Sequence, residues 1–175
     1  FSFIFTTKPE AGYISAYGHD ITETKRSQIA LEESEKRYRA FVENSSEGIF
    51  RFELDCPLPE NLTMEEQVTT FLDHGFISEA NEATVRMLGF SDIRDLLNLN
   101  VREFIGRIDL DAANVMRDFI QNDYRLSDKE VLWNGFDGGT KILRTNVIGI
   151  WGSHNSFRAW GTIHDVTEER EKEEA

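Results

Sequence analysis

Apolar and polar positions alternate at the start of the chain. FSFIFTT (1–7) and YISAYG (13–18) flank KPEAG (8–12), whose Pro and Gly suit a turn. A period of two broken by a turn predicts a β-hairpin over residues 1–20. Two strands alone are marginal in water, so the hairpin is expected to belong to a larger sheet or to lean on a neighbour. From Ile21 the pattern changes. ITETKRSQIALEESEKRYRAF (21–41) lacks Gly and Pro and is dense in helix formers. Leu31, Tyr38 and Phe41, with Ser34 between, form a thin heptad-like stripe. The stripe predicts a linker helix over 21–43, and favours a short parallel coiled coil across a homodimer over a solvated connector.

ENSSEG (43–48) ends that helix and IFRFEL (49–54) alternates as a strand. DCPLPEN (55–61) reads as a loop. Thr63, three before Glu66, gives a capping box for a helix that stops at Gly75 and buries Val68, Phe71 and Leu72. FISEAN (76–81) is a short strand and EATVRMLG (82–89) a short helix closed by Gly89. Ser91 is the candidate cap for DIRDLLN (92–98). VREFIG (101–106) is a helical turn or a tight loop. DLDAANVMRDFIQND (109–123) is a longer helix, capped by Asp109 or Asp111, with Ala112, Val115, Met116, Phe119 and Ile120 at helical spacing. The last third is strand. EVLWNGF (130–136) runs into the turn DGG, followed by TKILRTNVIGIWG (140–152), SHNS, and SFRAWGTIHDV (156–166). TEEREKEEA (167–175) resumes helix. The order predicts an α+β fold: an antiparallel sheet of about five strands, short helices packed on one face, and flanking linker helices.

Composition narrows the functional classes. The 175 residues fit one domain with appendages, and 39% hydrophobic residues including 13 Phe can bury a core. A net charge of −13 repels phosphate backbones and anionic membrane surfaces, so no nucleic-acid partner is expected. No apolar run approaches the ~20 residues of a membrane helix, so no membrane insertion is expected. A single cysteine, Cys56, excludes an internal disulfide framework and a cysteine-rich metal site, and suits a reducing, cytoplasmic setting. FSFIF carries no basic leader and no initiator Met, and the chain reads as a piece of something longer.

The candidate chemistry centres on a repeat, HDITE at 19–23 and HDVTE at 164–168. His beside Asp suggests metal ligands or an acid–base couple. Adjacent strand residues point to opposite faces, however, so neither pair converges on one ion. His74 and His154 sit near loops without a His-x-x-x-His spacing. No nucleophile elbow or phosphate-binding Gly loop is present. The sequence therefore predicts no metal set, no catalytic residues and no enzyme. Structural punctuation is the better reading of the repeat. Asp165 or Thr167 can accept the free N–H groups of an outgoing helix, and Glu168 suits its positive end.

Three stretches resemble the PAS domain, a sensory module of signalling proteins. They are ALEESEKRYRAFVENSSEGIFRFEL (30–54), ISEANEATVRMLGFSD (77–92) and WNGFDGGTKILRTNVIGIWGSHNSFRAWGTIHDVTEER (133–170). The resemblance covers roughly residues 30–170. It implies that Asp165 and Thr167 form the signal-exit motif, and that Asp20 and Thr22 are the equivalent motif of a preceding PAS domain. The organisation is then a terminal hairpin (1–20), a linker helix (21–43), a PAS domain (44–167) and the start of an outgoing helix (168–175). Residues 55–75 depart from the family, many of whose members have a tight turn there.

A ligand pocket between sheet and helices is also implied. Its candidates are Phe104, Met116, Phe119 and Ile120 from the helical side, and Leu132, Leu143, Thr145, Val147 and Trp160 from the strands. Plain core is the more frequent role of such residues. On the central strand either Thr145 or the pair Arg144 and Asn146 must face inward, and Arg144 would suit an anionic ligand. No cofactor is identified. Haem is disfavoured because residues 109–123 lack the family's usual histidine. A covalent flavin adduct is disfavoured because Cys56 lies in a Pro-rich loop and not in an Asn-Cys-Arg phrase. Noncovalent flavin stays open. The resemblance implies a sensory or signal-relay module acting through its flanking helices on a downstream effector of the same polypeptide, such as a histidine kinase or diguanylate cyclase. The alternative is a ligand-free dimerisation or spacer module with a packed core.

Overall fold

The computed structural model describes residues 2–8 and 13–173, which divide into two compact units, 1–41 and 42–175. In the first, β1 (Ser2–Lys8) pairs antiparallel with β2 (Tyr13–His19), from Ser2↔His19 to Lys8↔Tyr13. Residues 9–12 of the expected turn lie outside the described ones. The helix α1 (Thr22–Glu43) follows without Gly or Pro and buries no residue, leaving Ile29, Leu31 and Phe41 exposed.

The second unit runs β3 (Gly48–Leu54), α2 (Met64–His74), β4 (Gly75–Ala80), α3 (Glu82–Leu88), α4 (Ile93–Leu96), α5 (Val101–Ile105), α6 (Ala112–Gln121), β5 (Arg125–Asn134), β6 (Thr140–Trp151), β7 (Phe157–Asp165) and α7 (Thr167–Glu173). The sheet order is β4-β3-β7-β6-β5, antiparallel throughout. The last strand is therefore the central one. Alternation puts Phe157, Ala159 and Ile163 of β7 on the buried face, with Phe50 and Phe52 of β3 and Leu143 of β6. Gly161 sits between Phe50 and Val147 in register, and a Cβ there would overlap the Phe50 ring. Facing the sheet, α2 presents Phe71, α3 Leu88, and α6 Met116 and Phe119. Phe71 meets the rings of Phe119 and Phe157 edge-on, with centroids 6.0 and 4.9 Å apart.

Local signals account for most helix ends. Thr63 and Glu66 close a full capping box: Thr63 N–H donates to Glu66 Oε2 at 2.8 Å, and Glu66 N–H to Thr63 Oγ1 at 3.3 Å. Gly89 ends α3 with φ +78°, where any side chain would also strike Asp137. Asp111 caps α6 through Asn114 N–H at 2.9 Å. Asp109 instead accepts from Leu132 N–H at 3.3 Å, on β5. The cap of α4 differs from expectation. Asp92, not Ser91, accepts from Arg94 N–H at 2.8 Å. Its carboxylate also binds the Arg94 guanidinium, which a serine cannot match, and these bonds hold its pKa down at about 2. The strand β5 begins at Arg125, earlier than the apolar run at 130 suggests. A bulge between Leu126 and Lys129, with Asp128 at φ 48°, breaks the alternation there.

Candidate functional site: an apolar cavity and the exit junction

Between the sheet and α5–α6 lies a cavity of about 80 Å³. Phe50 and Phe52 of β3, Phe104 of α5, Met116 and Phe119 of α6, and Leu143, Thr145 and Val147 of β6 wall it. Lys129 stands at its edge on the β5 bulge, its Nζ 3.1 Å from Asp118 Oδ2 of α6. Apart from that ammonium and the Thr145 hydroxyl, the side chains named are hydrocarbon or thioether.

Six of the nine pocket candidates thus line the cavity: Phe104, Met116, Phe119, Leu143, Thr145 and Val147. Ile120 is buried but does not reach the cavity wall. Leu132 and Trp160 must be corrected. Leu132 alternates with the buried Val131 and Trp133, so it faces out and is 39% exposed. Trp160 lies between inward Ala159 and Gly161, on the outer face, where the Arg51 guanidinium sits 5.3 Å above its ring. The same parity settles the central strand. Thr145 faces the cavity, whereas Arg144 turns outward to Glu130, so Arg144 offers nothing to a ligand inside.

The residues present do not fit the family's large cofactors. No lining side chain is a histidine or cysteine, so the cavity has neither the family's usual haem histidine nor a flavin-reactive thiol. Cys56 lies outside it. Burial, and then the charge of Asp55, push its thiol pKa up, away from reactive thiolate. The volume is also well below the roughly 300–1,000 Å³ of pockets for larger organic ligands.

At the C-terminal end of β7 the sheet hands over to α7. Leu143↔Asp165 is the last paired rung of β6 and β7. Beyond it, Val166 N–H donates to Ile142 O at 2.9 Å, and Ile142 N–H donates to Thr167 Oγ1 at 3.0 Å. A threonine side chain thus stands in for the backbone acceptor of one more rung. Asp165 Oδ1 accepts from Thr167 N–H at 3.1 Å and from Thr167 Oγ1–H at 2.6 Å. Asp165 and Thr167 therefore share the work: the carboxylate caps the helix and orients the hydroxyl that holds β6. One turn on, Arg170 binds Glu130 of β5, which Arg144 of β6 also binds. Hydrogen bonds from Arg170 and then Arg144 lower the Glu130 pKa, and the same pairing raises that of Arg170.

The incoming side has its own anchor, which sequence reasoning noted only as the centre of a motif. Asn81 caps α3 from a position 3% exposed. Its Oδ1 accepts from Ile49 N–H at 2.9 Å, Thr84 N–H at 3.0 Å and Thr84 Oγ1 at 2.9 Å. Its Nδ2 donates to Val42 O and Glu47 O, each at 2.9 Å. Within the second unit, one amide thereby joins Val42 and Glu47 to β3 and α3. An Asn directly before EATVRML was the available signal for the cap; its long-range bonds were not.

A sheet of order β4-β3-β7-β6-β5, helices over one face, and an Asp-x-Thr handover to a terminal helix define an α+β module with a helix leaving its central strand. The PAS domain profile matches residues 36–123, about half of the chain, and the chain belongs to the PAS domain family. No curated protein matches it closely. Solved structures share the fold. A PAS domain of an HTR-like protein from Haloarcula marismortui is 23% identical over 81% of this chain and 98% of its own, with a TM-score of 0.51. A PAS domain from a two-component sensor histidine kinase is 16% identical over 77% and 98%, with a TM-score of 0.52. A PAS domain from Colwellia psychrerythraea is 16% identical over 76% and 97%, with a TM-score of 0.54. PAS domains are sensory modules, regulatory rather than catalytic, and commonly dimerise within signalling proteins. No helix among the described residues is long and apolar enough to cross a membrane.

Proposed function

We propose that this domain senses a small, largely apolar ligand or the state of a partner, and relays it through α7. The observation that carries the reading is continuity along β6. Leu143 and Thr145 line the cavity, and the adjacent Ile142 supplies both backbone groups that hold Val166 and Thr167. A ligand that shifts β6 would bias the position of α7. The effector would lie in the same polypeptide, as a histidine kinase or diguanylate cyclase, in the cytoplasm. A homodimer through the linker helices would turn the bias into a changed helix crossing. The exposed Ile29, Leu31 and Phe41 of α1 support that interface. Asp20 Oδ1 accepts from Thr22 N–H at 2.9 Å, as Asp165 does from Thr167, which supports reading residues 1–20 as the end of a preceding PAS domain.

Native mass spectrometry tests ligand and oligomer together. A dimer carrying a small-molecule adduct is the expected result; a bare monomer in every preparation overturns it. The cavity's small volume favours one competitor, a ligand-free dimerisation or spacer module. A bare dimer whose melting ignores added small apolar compounds would select that competitor.

A further inference from the structure

We propose that Asp55, Cys56 and His74 form a site for a divalent transition-metal ion of the zinc class. Asp55 directly follows β3, and His74 is the last residue of α2, one before β4. The β3–β4 ladder pairs Leu54 with Gly75, and Asp55 N–H donates to His74 O at 3.1 Å. The backbone thus fixes two ligand positions side by side at the end of a hairpin, although they are 19 residues apart in sequence. His74 Nδ1 lies 2.9 Å from Asp55 Oδ1. Cys56 completes the set, with carboxylate oxygen, imidazole nitrogen and sulfur all within 4.8 Å of one another. Among the described residues this is the group of His, Cys, Asp and Glu donors that converges in this way.

The donor set selects the ion. Zinc bonds of about 2.0–2.3 Å give tetrahedral edges of roughly 3.3–3.6 Å, so the His74–Asp55 pair opens slightly while the contacts to sulfur close by no more than about 1.5 Å. Calcium and magnesium want all-oxygen shells, whereas one sulfur, one nitrogen and one oxygen suit zinc and cobalt. Three protein ligands leave the fourth position open. A cleft lined by Asp73, Phe76, Asn98 and Asn100 adjoins two of the three donors, Asp55 and His74. An exposed His–Asp pair alone is an ordinary surface contact. A third donor of different chemistry, on a backbone already held in register, makes it a site. On binding, the Cys56 thiol releases its proton to water and the thiolate donates its electron pair to the ion, with no change of oxidation state. The ion then joins the two ends of the 55–75 insertion and fixes the C-terminal end of α2, whose Phe71 packs on the cavity-wall residue Phe119.

Cobalt(II) titration of the metal-free protein tests the site. One equivalent is expected to give thiolate-to-cobalt charge transfer in the near ultraviolet and tetrahedral d–d bands in the visible, both displaced by zinc. Cys56→Ser and His74→Ala should lose the charge-transfer band or weaken binding by about tenfold or more. Both side chains lie at or near the surface, so metal-free melting and far-ultraviolet dichroism should match the wild type. Cobalt uptake without a thiolate band, or undiminished in the variants, means adventitious binding by the acidic surface and overturns the proposal. A check independent of any variant uses the wild-type chain: saturating zinc should slow alkylation of Cys56. An unchanged alkylation rate also overturns the proposal.

Discussion

Arg170 on the exit helix forks onto Glu130 of the edge strand β5, with Nε 2.9 Å from Oε2 and Nη2 2.7 Å from Oε1. The pair spans β6, whose Arg144 reaches the same carboxylate at 3.0 Å. Bidentate geometry makes the contact directional, so it fixes where the first turns of α7 lie and not merely that they are near. Arg170→Lys keeps the charge and loses the fork. Hydrogen exchange of residues 168–173 should rise in that variant while protection in β3 and β7 stays constant. Equal protection of α7 in both proteins would show that the fork holds nothing.

The same contact carries a pH dependence. The Glu130 pKa is depressed in the folded state by Arg170 and Arg144. Its contribution to holding α7 is therefore complete above the ordinary glutamate pKa, about 4.3, and is lost as pH falls through the lower native value. The Arg170 Nε–H chemical shift, followed by NMR, should move across that acidic window and stay flat from there to neutrality. Glu130→Gln should abolish the step.

Asp165→Ala removes the cap and the acceptor that orients Thr167. A loss of about 0.5–2 kcal/mol is expected, concentrated at the junction. Thr167→Ser retains the hydroxyl and should fall below Thr167→Val, which leaves Ile142 N–H without its acceptor. Denaturant melts of the three variants give the order directly; a Val variant as stable as the Ser variant would contradict it.

Asn81→Ala strands donors and acceptors on both sides of the amide, including Ile49 N–H and Val42 O. Buried polar groups left unpaired cost about 1–3 kcal/mol each, so a loss of at least about 3 kcal/mol is expected. Asn81→Asp keeps the Oδ1 contacts but not the donor to Val42 and Glu47. Fraying of residues 40–47 in hydrogen exchange should distinguish it from the wild type.

Leu143→Ala enlarges the cavity at its sheet wall. The cost should be about 2–5 kcal/mol, and added benzene or xenon should recover part of it. Melting temperature with and without the gas reads both effects. A variant that loses stability but ignores benzene would show that the cavity collapses.

The architecture was legible because period-two runs and helical stripes are set by local geometry. The capping box at Thr63 and the Gly89 stop needed only near neighbours. The exit repeat was legible for the same reason. Facing was harder. Leu132 and Trp160 look like core in composition, yet strand parity turns them outward, and the bulge before Lys129 hides where β5 begins. Arg144 could not be placed until Glu130 was seen opposite it in register. Contacts across the hairpin were beyond reach: nothing within the loop DCPLPEN says that His74 returns beside Asp55.

The central position of β7 has a consequence for synthesis. Until residues 157–165 leave the ribosome, the five-stranded sheet exists only as two separate antiparallel pairs, β3–β4 and β5–β6, with open edges. Closing the sheet waits for the last strand to slide between them, a long-range step that is slow by its contact order. The nascent domain is most exposed to mispairing just before completion. The segment that ends this exposure is the one that leads into α7, so that helix cannot be seated before the fold that holds it exists.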